Sequence, residues 1–238
     1  MFKIALNAGH YLKTAGKRCL KSLDKNETRE WVLNDRVCDL IETKLKDYDG
    51  YKLLRVDDTT GATDVSLADR CKKANSFGAD FYLSVHHNAG IYGGKGGGVV
   101  AYVYTNVDDT TKAWQKELYD NIVKYTALKG NRATPLASSN LYECRKTNMP
   151  AVLLECGFMD SATDVPVILT DVFADRVASA CVEVIAKRGG LTKKQPKPDA
   201  TTSDTIYRVQ VGAYKDKANA EKLVASLKKD GYDAYITT

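Results

Sequence analysis

Apolar residues along the first 187 positions alternate between short continuous runs and longer stretches with helical spacing. The continuous runs are typical of buried strands, and they cover residues 2–9, 51–56, 81–90, 99–104 and 150–158. A shorter run at 141–145 is expected to form an edge strand. Between the strands, apolar residues recur every three or four positions, which predicts helices over 28–46, from about Leu67 to a Gly78 cap, over 110–126 and over 171–187.

This order of elements indicates an α/β fold. Strands that are separated by helical stretches favour a mostly parallel, twisted sheet with helices on both faces. Residues 191–203 then lose almost all apolar side chains and contain Pro196, Pro198 and several lysines, as extended linkers do. We therefore divide the chain into a catalytic domain at 1–187, a linker at 188–205 and a small module at 206–238. The module is expected to be a strand–helix–strand unit, with strands at 207–214 and 232–237 around a helix at 218–229.

Composition limits the choice of function classes. Of the 238 residues, 44% are hydrophobic and 27% charged, as in ordinary soluble globular proteins. There is no nucleic-acid-binding motif, and no apolar run approaches the ~20 residues that cross a bilayer, so neither nucleic acid nor membrane insertion is expected. The net charge of +5 suits a polyanionic surface such as a bacterial wall. The six cysteines form no C-x-x-C pair, and we expect reduced thiols.

The N-terminus runs directly into a strand and shows no signal peptide. We therefore expect synthesis in the cytoplasm. If the chain acts on a cell wall, it would reach the wall only after release, in phage lysis or mother-cell lysis.

The chemistry is concentrated where predicted strands end. Two of the three histidines, His86 and His87, stop the 81–90 strand, and the third, His10, follows the 2–9 strand. In open α/β sheets such strand ends meet in one crevice. Glu155 interrupts an apolar strand, and a buried carboxylate is costly unless it is paired, metal-bound or protonated. Two histidines and one glutamate make a zinc site with an open fourth position, and a further glutamate could act as a base.

Four motifs in order resemble one family. N-A-G-H at 7–10, E-x-x-x-N at 30–34, S-V-H-H-N-A at 84–89 and P-A-V-L-L-E-C-G-F at 150–158 are similar to the zinc N-acetylmuramoyl-L-alanine amidases of the type-3 amidase family. The resemblance covers about residues 1–187. It implies that zinc is bound by the side chains of His10, Glu30 and His86, and that Glu155 is the catalytic residue.

Glu27 is the other candidate for the second ligand, and we prefer Glu30 because the family's glutamate stands four residues before an asparagine. The chain departs from the family pattern at Asn7-Ala8, where Asp-Pro is common, and at Cys156. His87 should face away from His86, because side chains alternate along a strand. We expect His87 to support the site or to lie on the substrate side.

The resemblance implies hydrolysis of the amide bond between N-acetylmuramic acid and the L-alanine of the peptidoglycan stem peptide. The run Y-R-V-Q-V-G-A-Y at 207–214 resembles the first half of a SPOR domain, a module that binds glycan strands. One half leaves a sheet edge open, and open edges recruit partners. We therefore expect two chains to pair their C-terminal units as a homodimer. Two alternatives remain, namely a zinc peptidase or carboxypeptidase that cuts within the stem peptide, and a non-catalytic wall-binding protein.

Overall fold

The computed structural model describes residues 1–195, 210–232 and 234–236. The described strands are β1 Phe2–Ala8, β2 Tyr48–Asp49, β3 Tyr51–Arg55, β4 Phe81–Asn88, β5 Val99–Val103, β6 Leu136–Ser138, β7 Ala151–Phe158 and β8 Thr192–Lys193. The described helices are α1 Glu30–Leu45, α2 Leu67–Phe77, α3 Asp109–Thr126, α4 Tyr142–Lys146, α5 Val165–Ile168, α6 Asp171–Gly189 and α7 Lys217–Lys229.

Six strands form the central sheet in the order β3-β1-β4-β7-β5-β6. All neighbouring pairs are parallel except β5 and β7, which run antiparallel. The two short strands β2 and β8 pair separately and antiparallel, so that the chain just after α6 is bonded to the chain just after α1. The expected mostly parallel α/β sheet is confirmed.

Side chains on the two faces of the sheet enter separate cores. On one face, Ile4, Leu6 and Leu83 pack in a large apolar cluster to which α1, α3 and α6 contribute. On the other face, Ala5 and Tyr82 pack with Ala74 of α2 in a smaller cluster. The alternation along β1 and β4 explains this division, because neighbouring residues of a strand point to opposite faces. Helices therefore cover both faces, as the sequence predicts.

Helix ends agree with the predicted ones to within two residues. The α2 helix begins after Ser66, whose hydroxyl accepts the backbone N–H of Asp69, and ends at Gly78 in the left-handed conformation. The predicted helix over 28–46 begins at Glu30, because Arg29 is extended and bridges to Arg18 in the preceding loop.

The edge strand predicted at 141–145 is wrong, because these residues form the short helix α4. The Arg145 N–H donates to the Leu141 carbonyl and the Thr147 hydroxyl to the Glu143 carbonyl, which are helical four-residue spacings. A run of five residues is too short for its periodicity to separate helix from strand. The edge strand in this part of the chain is β6, which begins at Leu136.

The strands β4 and β5 run in opposite directions, so β5 begins at the end of the sheet where β4 finishes. The loop between them therefore stays at that end. Asp160, which follows β7, fixes this loop. One oxygen of its carboxylate accepts the backbone N–H groups of Gly90, Ile91 and Tyr92 at 2.7–2.8 Å. Tyr92 itself is 89% exposed. The loop is therefore attached through its backbone, and the Tyr92 side chain remains exposed.

The chain separates into two compact units, Met1–Lys194 and Gln195–Thr238. In the second unit the expected helix is present as α7, which begins after Asp216. Residues 210–214 and 232, 234–236 carry no strand, and the remainder of both expected strands lies outside the described residues. In the first unit, all six cysteines are buried free thiols. Among the described residues, no helix is long and apolar enough to cross a membrane.

Candidate metal centre and active site

Three elements bring His10, Glu30 and His86 together at the carboxyl ends of β1 and β4. His10 follows β1 with a left-handed backbone, φ +67°, Glu30 is the first residue of α1, and His86 lies near the end of β4. One donor atom from each residue lies within 4.8 Å of the other two. The structure thus places side by side the three residues that the sequence analysis proposes as zinc ligands.

The contacts within this cluster are short and involve both oxygens of Glu30. Its Oε2 lies 3.3 Å from His10 Nε2, and its Oε1 lies 3.2 Å from His86 Nδ1. The two imidazole rings are 5.1 Å apart and nearly perpendicular. Gly9 makes this arrangement fit, because a Cβ at that position would lie 2.0 Å from Cε1 of His86. Any larger residue before His10 would displace the second imidazole.

The donor set fits a zinc ion. Two imidazole nitrogens and one carboxylate oxygen are the ligands of catalytic zinc sites with an open position. Within the described part of the chain, Glu30 Oε2 is buried without a hydrogen-bond partner, and so is Glu155 Oε2. Buried unpaired carboxylate oxygens are costly, and a cation beside them would remove that cost.

The pKa values show a site that is charged before any metal binds. Burial alone would raise the pKa of Glu30, but the hydrogen bond and charge of His86 hold it at about 2. Burial would lower the pKa of His86, but the carboxylates of Glu143 and Glu30 raise it to about 10. Burial lowers the pKa of His10 to about 4, although Glu30 opposes this. A metal ion at these atoms therefore has to replace a proton on His86.

Glu155 lies on β7 directly opposite His86 in the register of β4 and β7. Residues in register on neighbouring parallel strands face the same side of the sheet, so the side chain of Glu155 lies on the same face as that of His86. Burial raises its pKa to about 7, while the positive charge of His86 lowers it. The ideal pKa of a general base is near the working pH, and Glu155 meets that requirement.

Lys17 is a residue of this site that sequence reasoning missed. It lies in the loop before α1, where its ammonium group is 3.7 Å from Glu30 Oε2 and its side chain is 44% exposed. Its backbone carbonyl accepts the N–H of Glu30 at 3.1 Å, which fixes its position. Its charge lowers the pKa of both Glu30 and Glu155. One lysine in a loop rich in lysines carries no signal that distinguishes it.

The two alternative site residues lie outside the cluster. His87 points to the opposite face from His86, is 2% exposed, and its Nδ1 is 2.8 Å from Oδ1 of Asn34. Its backbone N–H donates to Glu30 Oε1 at 3.2 Å, so it supports that carboxylate. Burial lowers the pKa of His87 to about 3. Glu27 pairs instead with Arg18 at 3.1 Å.

Glu143 also lies beside the cluster, and no sequence pattern assigns it a role. It is 4% exposed on α4, and its carboxylate accepts hydrogen bonds from Asn7 Nδ2 at 2.9 Å and from the hydroxyl of Tyr82. Its Oε2 lies 3.8 Å from Nε2 of His86, which is within ion-pair distance but beyond a hydrogen bond. No periodic pattern reveals such a residue, because its contacts come from β1 and β4, which are distant in the sequence.

Comparison with known proteins identifies relatives of both parts of the chain. The family model described as N-acetylmuramoyl-L-alanine amidase (Amidase_3) matches residues 4–187, and the SPOR domain model matches residues 186–238. A sporulation-specific N-acetylmuramoyl-L-alanine amidase of Bacillus subtilis (strain 168) is 30% identical over 239 residues, which is 99% of this chain and 84% of that protein. An endolysin of Bacillus phage SPP1 is 37% identical over 142 residues, covering 56% of this chain and 52% of the endolysin.

Among solved structures, an N-acetylmuramoyl-L-alanine amidase from Clostridium difficile 630 superposes with a TM-score of 0.70 at 24% identity. The superposition covers 78% of this chain and 95% of that one. At this level of identity the likeness shows a shared fold.

Proposed function

This chain belongs to the N-acetylmuramoyl-L-alanine amidase family, and we propose that it performs the family's reaction with a zinc ion bound by His10, Glu30 and His86. The reaction is hydrolysis of the amide bond between N-acetylmuramic acid and L-alanine in peptidoglycan. The observation that carries the proposal of zinc is the cluster of three donor atoms within 4.8 Å of one another. Bound zinc supplies Lewis-acid chemistry, which polarises a carbonyl group and acidifies water.

The residues of the chain then have separate tasks. Ionised Glu155 takes a proton from the attacking water and returns it to the nitrogen of the leaving L-alanine. Glu155 is half-buried as a residue, and its Oε2 is buried without a hydrogen-bond partner among the described residues. Lys17, whose ammonium lies 3.7 Å from Glu30 Oε2, lowers the pKa of both carboxylates and so favours their ionised forms.

Metal analysis and wall digestion test this function together. Purified protein is expected to contain about one zinc per chain, and His86→Ala should lose most of it together with dye release from stained walls. His87→Asn is the matched control, since the His87 side chain contacts Asn34 and the substitution keeps the backbone N–H that donates to Glu30. Mass spectrometry of the fragments should show stem peptides with a free L-alanine amino group. Fragments that are cut within the stem peptide, or an active His86→Ala protein with full zinc, would remove the proposal.

We propose further that the C-terminal unit binds glycan strands and pairs with the same unit of a second chain. The support is the SPOR match together with the exposed apolar side chains Val211, Tyr214, Tyr232 and Tyr235, each at least 50% exposed. The α7 helix adds a partly covered apolar stripe at Ala220, Leu223, Val224 and Leu227, with helical spacing. Apolar surface of this kind is expected to be covered by a partner.

Sedimentation tests the pairing. The full chain should be a dimer, and a chain that ends at Lys194, the last residue of the first unit, should be a monomer with amidase activity on soluble fragments. A monomeric full chain at high concentration would contradict the pairing. The same truncation tests the predicted division into a catalytic domain at 1–187, a linker at 188–205 and a wall-binding module at 206–238.

We propose that the protein acts on the wall after release from the cell that makes it. A relative that matches 99% of the chain is described as sporulation-specific, and the phage relative as an endolysin. A fluorescent fusion should therefore be diffuse in intact cells and reach the wall only at lysis. Wall labelling in growing cells would contradict this proposal.

A further inference from the structure

A buried polar network lies directly beneath the proposed metal site and touches both histidines of the cluster. Its cation is Arg70, which is 2% exposed although arginine is rarely buried. The Arg70 guanidinium donates to the carbonyls of Ala8 and His10 at 2.7 Å and to that of Val65 at 2.8 Å. The backbone that carries His10 is therefore held by Arg70.

The anion of the network is Glu143, and Asn7 connects it to Arg70. Asn7 Oδ1 accepts from Arg70 Nη1 at 2.6 Å, and Asn7 Nδ2 donates to Glu143 Oε1 at 2.9 Å. An asparagine can make both contacts because its amide has an acceptor and a donor. A carboxylate at position 7 could not donate, and it would face Glu143 with the same charge. The Asn7 that departs from the family pattern and the carboxylate at 143 are thus matched to each other.

The second oxygen of Glu143 faces the imidazole of His86. Glu143 Oε2 lies 3.8 Å from His86 Nε2, while the other ring nitrogen, Nδ1, faces Glu30 at 3.2 Å. Ser84, two residues earlier on β4, places its hydroxyl 3.4 Å from the same oxygen. The described residues offer Nε2 no hydrogen-bond partner, although the atom is buried. If the distance between His86 Nε2 and Glu143 Oε2 shortened by less than 1 Å, the two atoms would form a hydrogen bond.

We propose that Glu143 is a positioning residue whose carboxylate accepts a hydrogen bond from Nε2–H of His86. With its proton on Nε2, the ring has Nδ1 as the nitrogen that can bind the metal. This inference rests on the proposed zinc site. Histidines that bind metals commonly donate their other ring N–H to a carboxylate, which fixes the tautomer and the ring orientation. Through Asn7 and Arg70 the same network also holds the His10 backbone, so both imidazoles are positioned by one set of buried contacts.

Imidazole ¹H–¹⁵N spectra of the zinc-loaded full chain test the tautomer directly. The chain has only three histidines, so nuclear Overhauser contacts from each ring to its sequence neighbours assign the three imidazoles in the wild-type spectrum. We expect His86 to carry its proton on Nε2 and the metal on Nδ1. The opposite arrangement, with Nε2 on the metal, would overturn the proposal. This measurement uses the wild-type chain and therefore decides the question even where a variant does not fold.

Zinc affinity, measured by competition with a chromophoric chelator, gives the second readout. Glu143→Gln keeps the shape but removes the charge, and we expect its zinc dissociation constant to rise about 10–100-fold, as for other residues that orient ligands. Asp57→Asn is the control, because Asp57 is also a buried carboxylate but bonds Arg55, away from the cluster. It should lose stability and keep its zinc affinity.

The outcomes separate this inference from the proposed function. A wild-type chain that binds no zinc would remove both. A wild-type chain that binds zinc tightly, with Glu143→Gln equally tight and folded, would overturn only the role of Glu143. Equal weakening in Glu143→Gln and Asp57→Asn would also overturn it, since the effect would then be general destabilisation.

Discussion

Replacing Glu155 by glutamine separates a catalytic carboxylate from a structural one. The substitution keeps size and shape but removes the ability to take a proton. In the zinc-loaded protein we expect turnover to fall about 10²–10⁴-fold, the usual contribution of general acid–base catalysis. Zinc content should stay at the wild-type level, because Glu155 is not one of the three clustered donors.

The free energy of unfolding of the metal-free protein gives a second, independent test of Glu155. Burial raises the pKa of Glu155 from 4.5 to about 7, and at ~1.4 kcal/mol per pKa unit this corresponds to about 3 kcal/mol. The folded-state pKa lies above the unfolded one, so the stability linked to this proton is fully present below pH 4.5 and lost as the pH rises through 7. Glutamine does not titrate. The variant should therefore gain stability relative to the wild type as the pH rises, by up to about 3 kcal/mol.

Urea unfolding of both metal-free proteins at pH 5, 6, 7 and 8 measures this difference, and dye release on the same preparations measures turnover. Titrations of groups that Glu155 does not influence are common to both proteins and cancel. His86, whose pKa Glu155 helps to raise to about 10, is protonated in the folded protein over this whole pH range. A stability difference that does not change with pH would refute the assignment of the raised pKa. A variant with wild-type turnover per folded, zinc-loaded molecule would refute the role of Glu155 as the base.

Three further predictions follow from the same site. Zinc binding should release protons and weaken as the pH falls from 8 to 6, because the metal replaces a proton on His86, whose pKa is raised to about 10; pH-independent competition titrations would contradict this. Lys17→Met should tighten zinc binding and move the acidic limb of the pH–rate profile upward, since Lys17 lowers the pKa of Glu155; an unchanged limb would contradict it. Gly9→Ala should abolish zinc binding with little loss of helix content, because its Cβ would lie 2.0 Å from the His86 ring; a zinc-loaded Gly9→Ala protein would show that the ring is free to move.

The parts of the site that the sequence predicts are those tied to strand ends. His10, His86 and Glu155 each follow or interrupt an apolar run, and parallel strands bring such positions to one edge. Glu30 required the motif resemblance, because Glu27 fits the helix start equally well by spacing alone. The structure distinguishes them through Arg18, which pairs with Glu27 and leaves Glu30 to the cluster.

The parts that the sequence did not predict depend on tertiary contacts. Glu143 lies in a five-residue helix that resembled an edge strand, and its partners are 59–136 residues away along the chain. Lys17 is distinguished from its neighbouring lysines only by the path of its loop, which is fixed by the bond from the Glu30 N–H to the Lys17 carbonyl. Local propensity and hydrophobic period carry no information about either contact.

The reversed direction of β5 has a consequence for how this enzyme could diversify. Because β5 begins at the edge where β4 ends, the loop over residues 89–98 stays beside the cluster instead of crossing to the far side of the sheet. Asp160 secures it through three backbone N–H groups, those of Gly90, Ile91 and Tyr92. Gly90 has φ +120°, which residues with a side chain rarely adopt, so it is expected to stay glycine, whereas the exposed Tyr92 side chain can be exchanged without a loss of anchoring. Selection, or a library randomised at exposed positions such as Tyr92, could alter substrate preference there while the sheet and the proposed metal ligands stay unchanged.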